Sequence, residues 1–154
     1  MNTVAICGNP NSGKTTLFNA LTGSHQQVGN WPGVTVEKKV GKFKAAEKTI
    51  SIVDLPGTYS LTANSIDERI ARDFIIKENP DAVIVVVDQT NLERNLYLVL
   101  EILEMKKKVV LAFNMSDETQ RRGISIDTEN LAKELGVKIV KTSASKKEGL
   151  TELK

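Results

Sequence analysis

At 154 residues the chain has the length of one domain, enough to bury about 70% of the surface its unfolded form exposes. With 40% hydrophobic and 26% charged residues it has the make-up of a folded globular protein, which excludes a disordered chain, a collagen-like one and a disulfide scaffold. Its 21 basic and 19 acidic residues leave a net charge of +2 and are interleaved along the chain, so no nucleic acid is expected as a partner.

The longest apolar runs, residues 82–87 and 109–113, are strand-length and far short of the roughly 20 residues of a membrane helix. No direct membrane insertion is expected. Met1, Asn2 and Thr3 lead into an apolar strand without a basic flank, so no signal peptide is expected either. Cys7, the sole cysteine, reads as a small buried residue of that strand.

Short β-rich runs alternate with segments of helical period. Residues 3–7 form the first predicted strand, followed by a glycine-rich turn and a helix over about 14–21. Residues 36–46 and 48–53 read as a hairpin. A helix over 67–77 places Ile66, Ile70, Phe74 and Lys77 along one face. Residues 82–87 are an unbroken Val/Ile run, the pattern of a strand buried on both faces. Thr90 and Glu93 make a capping box ahead of a helix with Leu96, Val99, Leu100 and Leu103 on its apolar side, and Lys106, Lys107 and Lys108 read as its solvated end. A strand over 109–113, a helix over 128–135 and a strand over 137–141 complete the alternation. The expectation is an α/β fold: a doubly wound, mostly parallel six-stranded sheet with one antiparallel strand. Residues 149–154 read as the first turn of a further helix, too short to stand alone, so the chain is expected to be a piece of a longer protein.

Gly8, Asn9, Pro10, Asn11, Ser12, Gly13, Lys14 and Thr15 match G-x-x-x-x-G-K-[ST] between a strand and a helix. The two glycines let successive N–H groups converge, and with the helix N-terminus they form a nest for phosphate oxygens. Lys14 can reach the β and γ phosphates; Thr15, with Thr16 beside it, brings a hydroxyl to Mg²⁺. Asp54, Leu55, Pro56 and Gly57 follow a strand 40 residues after that lysine. The acid can hold Mg²⁺, and Gly57 lets its N–H approach the γ-phosphate. Asn114, Met115 and Asp117 end a later strand. Asp117 can accept from the N1–H and N2–H₂ of guanine, whereas adenine has no donor at N1. Ser143, Ala144 and Ser145 close the last strand, where the Ala144 N–H can meet guanine O6.

Residues 23–35 are polar, without period, and are expected to be mobile. Thr35, following Gly33 and Val34, is the candidate for a second hydroxyl to Mg²⁺. Trp31 has no evident core in this segment and reads as part of a switch loop. His25 is given no chemistry.

Taken in order, these elements make the chain resemble a P-loop NTPase of the Ras-like G-domain type, and more specifically the N-terminal G domain of the ferrous iron transport protein B (FeoB) family. The strings that carry the likeness are Gly8–Thr15, then Val28-Gly29-Asn30-Trp31-Pro32-Gly33-Val34-Thr35-Val36-Glu37, then Asp54-Leu55-Pro56-Gly57-Thr58-Tyr59-Ser60-Leu61, then Leu92-Glu93-Arg94-Asn95-Leu96-Tyr97. The resemblance implies a GTP-hydrolysing domain on the cytoplasmic face of a prokaryotic membrane protein that takes up Fe²⁺. It also implies adjoining helical and membrane domains as partners, with homo-oligomers left open. K⁺ beside the phosphates is implied on Asn11 and on the backbone around Gly29 and Trp31, where a cation stabilises charge developing between the phosphates. Lys14, Asn11, Thr35 and Gly57 are the implied catalytic set.

Two positions depart from the G-domain pattern. Met115 stands where lysine is usual, and Thr58 stands where Ras-like enzymes carry a water-orienting glutamine. Slow intrinsic turnover is the expectation. Three alternatives stay open: a nucleotide sensor with negligible hydrolysis, a K⁺-dependent GTPase of ribosome or tRNA maturation, and an ATPase, against which Asp117 argues.

Overall fold

The structure, a computed structural model, describes residues 2–9, 13–23, 26–45, 48–58, 61, 65–88, 92–105, 109–114 and 138–141. The elements are β1 Asn2–Gly8, α1 Lys14–Thr22, β2 Gln26–Asn30, β3 Glu37–Ala45, β4 Lys48–Asp54 and α2 Ile66–Asp73. A π-helical turn, Phe74–Glu78, continues α2, and β5 Ala82–Asp88, α3 Leu92–Glu104, β6 Val109–Asn114 and β7 Lys138–Lys141 follow. The Thr90 capping box, Lys106 to Lys108, the helix over 128–135 and the terminal segment 149–154 lie outside the described residues.

One sheet carries the strands in the order β2-β3-β4-β1-β5-β6-β7. β1 lies between β4 and β5, parallel to both, and β5-β6 and β6-β7 are parallel as well. Among the described strands β3 alone runs against its neighbours, β2 and β4, and it is the expected antiparallel strand. All six expected strands are present. The seventh, β2, arises within the segment expected to be an aperiodic loop, and it pairs with β3 from Gln26 opposite Gly41 to Asn30 opposite Glu37. Its exposed residues Gln27 to Asn30 explain why no alternation marked it: an edge strand wet on both faces leaves no hydrophobic period in the sequence.

Period-2 alternation splits the core between the two faces of the sheet. Val4 and Ile6 of β1, Ile52, Ile84 and Val86 pack with Leu17, Phe18 and Leu21 of α1. Ala5, Cys7, Val53, Val83, Val85, Val87, Leu111 and Phe113 pack on the opposite side with α2, its π turn and α3. Burial pushes the Cys7 thiol up to about 12, so it is an inert member of this core. On α3 the inner face is Asn95, Leu98, Val99 and Ile102; Leu100, expected inside, is half-exposed, one step around the helix. On α2 and its π turn the buried residues are Ala71, Phe74 and Ile75, while Ile66 and Lys77 face water. Ile70 and Phe74 pack on the core as expected; Ile66 is exposed at the first position of α2, and the wider π turn carries Lys77 off the 3.6-residue stripe.

Gly41 of β3 sits where a Cβ would lie 2.4 Å from Thr22 Cγ2, 2.9 Å from Thr22 Cβ and 3.2 Å from Phe18 Cζ. Thr22 is itself fixed by its hydroxyl bond to the Phe18 carbonyl, 2.9 Å away. Gly41→Ala is therefore expected to lower stability by about 1–3 kcal/mol through overpacking, read from urea unfolding; a neutral effect would show that α1 can move off the sheet.

Candidate functional site

The site forms where β1 and β4 end side by side. After their paired registers the two chains stay joined: the Leu55 N–H donates to the Ile6 carbonyl and the Thr58 N–H to the Gly8 carbonyl, each at 3.0 Å. That second bond holds Gly57 beside the end of β1, from which the chain passes to α1. The chain enters α1 through Gly13, whose φ of 89° is left-handed backbone that glycine adopts without a Cβ penalty. α1 then begins at Lys14 with no side-chain cap and no acid in its first turn, so its leading N–H groups and positive dipole end are kept for an anion.

A pocket of about 470 Å³ lies at this helix end, lined by Asn9, Gly13, Lys14, Thr15, Thr16, Gly57 and Asp67. Lys14 is buried and its Nζ is ion-paired with Asp54 Oδ1, also buried. The lysine of the P-loop and the acid at the end of β4, 40 residues apart, are thus in direct contact. Asn9 is 3% exposed; its amide donates to the Arg94 carbonyl of α3 at 3.5 Å, and its Oδ1 is buried without a partner among the described residues. Thr15 offers a hydroxyl and Asp54 a carboxylate, the hard oxygen donors Mg²⁺ prefers when phosphates complete its shell. The residues present fit that ion. Among the described residues no three His, Cys, Asp or Glu side chains gather to hold a metal by themselves.

Asp67 is the pocket residue that sequence reasoning missed. α2 opens with a capping box, the Ser65 hydroxyl accepting from the Glu68 N–H at 3.2 Å and approaching Glu68 Oε1 at 3.3 Å. Ser65 and Glu68 carry that signal in the sequence and mark where α2 starts; the packing of α2 puts Asp67, in its first turn, at the phosphate pocket. Asn95, within the Leu92–Tyr97 string, also has a structural role. It is buried, and its Oδ1 accepts the Asp88 N–H at 3.2 Å, which ties α3 to the end of β5.

The segment over 29–35 is not drawn into this pocket. Gly29 lies in β2 opposite Lys38, and Trp31 is 8% exposed, packed in the core on the α2 side. The expectation that Trp31 has no core is corrected here, because β2 carries it back over the sheet. Trp31 donates its backbone N–H to Val36 and accepts from Val34, closing a turn that holds Gly33 and an exposed Thr35. Thr58 is buried at 4% and is not among the residues that line the pocket. Pro10, Asn11, Ser12, Met115, Asp117, Ser143, Ala144 and Ser145 lie outside the described residues; Asn114 ends β6 opposite Asp88.

A mostly parallel sheet with this strand order, a glycine-turned helix start and a lysine set against the acid of the neighbouring strand define a domain of the P-loop GTPase fold. The family model for ferrous iron transport protein B matches residues 2–154, and the chain belongs to that family. It is 53% identical over 152 residues to the Fe(2+) transporter FeoB of Legionella pneumophila strain Paris, covering 96% of this chain and 20% of that protein. The chain therefore spans about a fifth of the length of the curated relatives it matches. Among solved structures, the cytosolic domain of the T. maritima FeoB iron transporter in its GMPPNP form superposes with a TM-score of 0.96 at 57% identity, covering 99% of this chain and 61% of that one. A GDP form of the same domain gives 0.95 at 57% identity, covering 99% and 60%.

Proposed function

We propose that this chain is the GTP-binding, slowly GTP-hydrolysing switch domain of a prokaryotic Fe²⁺ transporter, held on the cytoplasmic side of the membrane. The observation that carries the reading is the pocket at the start of α1, where Lys14 meets Asp54 beneath a glycine-turned helix end. Relatives solved in GDP and GMPPNP forms support a guanine nucleotide as its occupant. The iron passage itself belongs to the larger protein, with the adjoining helical and membrane domains as partners of the switch.

In this reading the α1 N–H groups and Lys14 bind the β and γ phosphates, and Thr15, Asp54 and Thr35 hold Mg²⁺, which neutralises phosphate charge when bound. Thr35 and Gly57 close on the γ-phosphate, and its loss frees both segments. Asn114, Met115, Asp117 and Ser143 to Ser145 form the base pocket. Asn11, Gly29 and Trp31 are the proposed K⁺ ligands, which requires the turn over 31–36 to leave its present packing. With a short Thr58 turned into the protein, the attacking water lacks a side-chain orienter and intrinsic turnover is slow.

The test is phosphate release from GTP in K⁺ buffer and in matched Na⁺ buffer, with ATP as the control. Faster release in K⁺ with ATP ignored is expected. Equal slow release in both salts would remove the cation role and leave a GTP-binding switch that needs a partner to fire; comparable ATP turnover would remove guanine specificity.

A further inference from the structure

A second pocket, of about 340 Å³, lies on the other end of α2, lined by Trp31, Pro32, Lys38, Ile70, Asp73, Phe74, Lys77 and Glu78. α2 thus reaches both pockets. Asp67 in its first turn lines the phosphate pocket, while Ile70, Asp73 and Phe74, one to two turns on, line the second. Trp31 and Phe74 meet edge to face, with ring centroids 5.8 Å apart and planes at 77°. Lys38 sets its ammonium 4.7 Å from the centre of the Trp31 ring. Against these attractions stands one defect: the Trp31 indole N–H is buried with no acceptor among the described residues. A buried donor without a partner is costly, so this seat holds the indole less firmly than its burial suggests.

The backbone connects that seat to the phosphate pocket. The Trp31 N–H bonds to the Val36 carbonyl at 2.9 Å and the Val34 N–H to the Trp31 carbonyl at 3.2 Å. Thr35 lies inside this closed turn, exposed, and is absent from the lining of the phosphate pocket. It cannot travel to a γ-phosphate while Trp31 stays seated. We infer that Trp31 is a latch on the Thr35 segment, and that Phe74 is the positioning residue that sets how tightly the latch closes. The inference rests on the reading of the 470 Å³ pocket as a nucleotide site. It adds that the contact on the far end of α2 opposes binding of a γ-phosphate and leaves a diphosphate unaffected.

Trp31 is the only tryptophan, so its emission reports the latch directly. The experiment adds Mg²⁺ with GDP or with GMPPNP to the 154-residue chain, following Trp31 emission and, in parallel, binding heat. GMPPNP is expected to shift the emission to the red as the indole leaves the core, and GDP to leave it in place. Phe74→Leu is expected to shift the emission red before any nucleotide is added. It should tighten GMPPNP by about three- to tenfold, the equivalent of an edge-to-face ring pair, with GDP affinity held within about twofold. Phe74→Tyr keeps the ring edge and is expected to restore the parent values. A position of emission that stays fixed while calorimetry shows both nucleotides bound would overturn the latch and leave the nucleotide site standing. Binding of neither nucleotide would overturn the site reading, and the latch with it. Should Phe74→Leu fail to fold, the comparison of the two nucleotides on the parent chain decides the matter.

Discussion

Replacing Lys14 with Met is expected to lower the unfolding free energy by about 3–5 kcal/mol, a loss few lysine substitutions approach. The reason lies in its partner. The Lys14 and Asp54 side chains are only 9% and 10% exposed and are paired to each other. Removing the ammonium strands a buried carboxylate, and an uncompensated charge in that position costs far more than a surface pair is worth. The double variant, Lys14→Met with Asp54→Asn, removes both charges and is expected to regain most of the loss. It should not regain nucleotide binding, because the phosphates still lack their cation. Urea unfolding of the three proteins, with calorimetric titration of GDP into each, separates the two roles of Lys14. A loss below about 1 kcal/mol in the single variant would mean that Asp54 is stabilised by groups other than Lys14. The same ion pair bears on affinity. In the proposed reading, phosphates draw Lys14 from Asp54 before the carboxylate takes a cation, and the energy of the pair is then subtracted from nucleotide binding.

How much of this could be read from the sequence depended on whether a residue carries its own signal. Strands β1, β5 and β6 were legible because both faces of a central strand are buried, which leaves unbroken apolar runs such as Val83 to Val87. The P-loop was legible because Gly13 takes a φ of 89°, backbone that glycine adopts without strain, and because phosphate chemistry calls for Lys14. Strand β2 was not. Its stability comes from pairing with β3, and Gln27, Val28, Gly29 and Asn30 are all exposed. Trp31 was misjudged for the same reason, since its core is supplied by Phe74 and other residues far along the chain. Asp67 failed differently: nothing in a first-turn acid distinguishes a solvated helix start from one that faces a phosphate pocket, and only the packing of α2 across the sheet end decides it. On α3, Val99 is buried and Leu96 and Leu103 pack against the core as expected, while Leu100 is half-exposed and Leu98 and Ile102 take the inside beside them. Among apolar neighbours, the choice falls to buried Asn95, whose bond to Asp88 sets the rotation of the helix.

The second large effect is expected at the base. Asp117→Ala should weaken GDP binding by about 10² to 10⁴-fold and leave ADP binding as weak as before, since two charge-assisted hydrogen bonds of roughly 1.5–3 kcal/mol each are lost together. Size and electrostatics are separable at this position. Asp117→Asn keeps the shape and the acceptor for N1–H, but its amide N–H₂ now meets the guanine N2–H₂, donor against donor. Xanthine carries a carbonyl in place of that amino group, so Asp117→Asn is expected to lose GDP and gain XDP. Met115 sharpens the test. With methionine where lysine is usual, the proposed base site carries one fewer charged residue, and more of its expected selectivity rests on Asp117. Titrations of GDP, ADP and XDP into the parent and the two variants give the answer. Retained discrimination of GDP from ADP in Asp117→Ala would place guanine recognition elsewhere, with backbone groups near Ala144 as the next candidates. A gain of XDP in Asp117→Asn would instead fix the contact to a single pair of atoms, the Asp117 carboxylate oxygens against the N1 and N2 edge of the base.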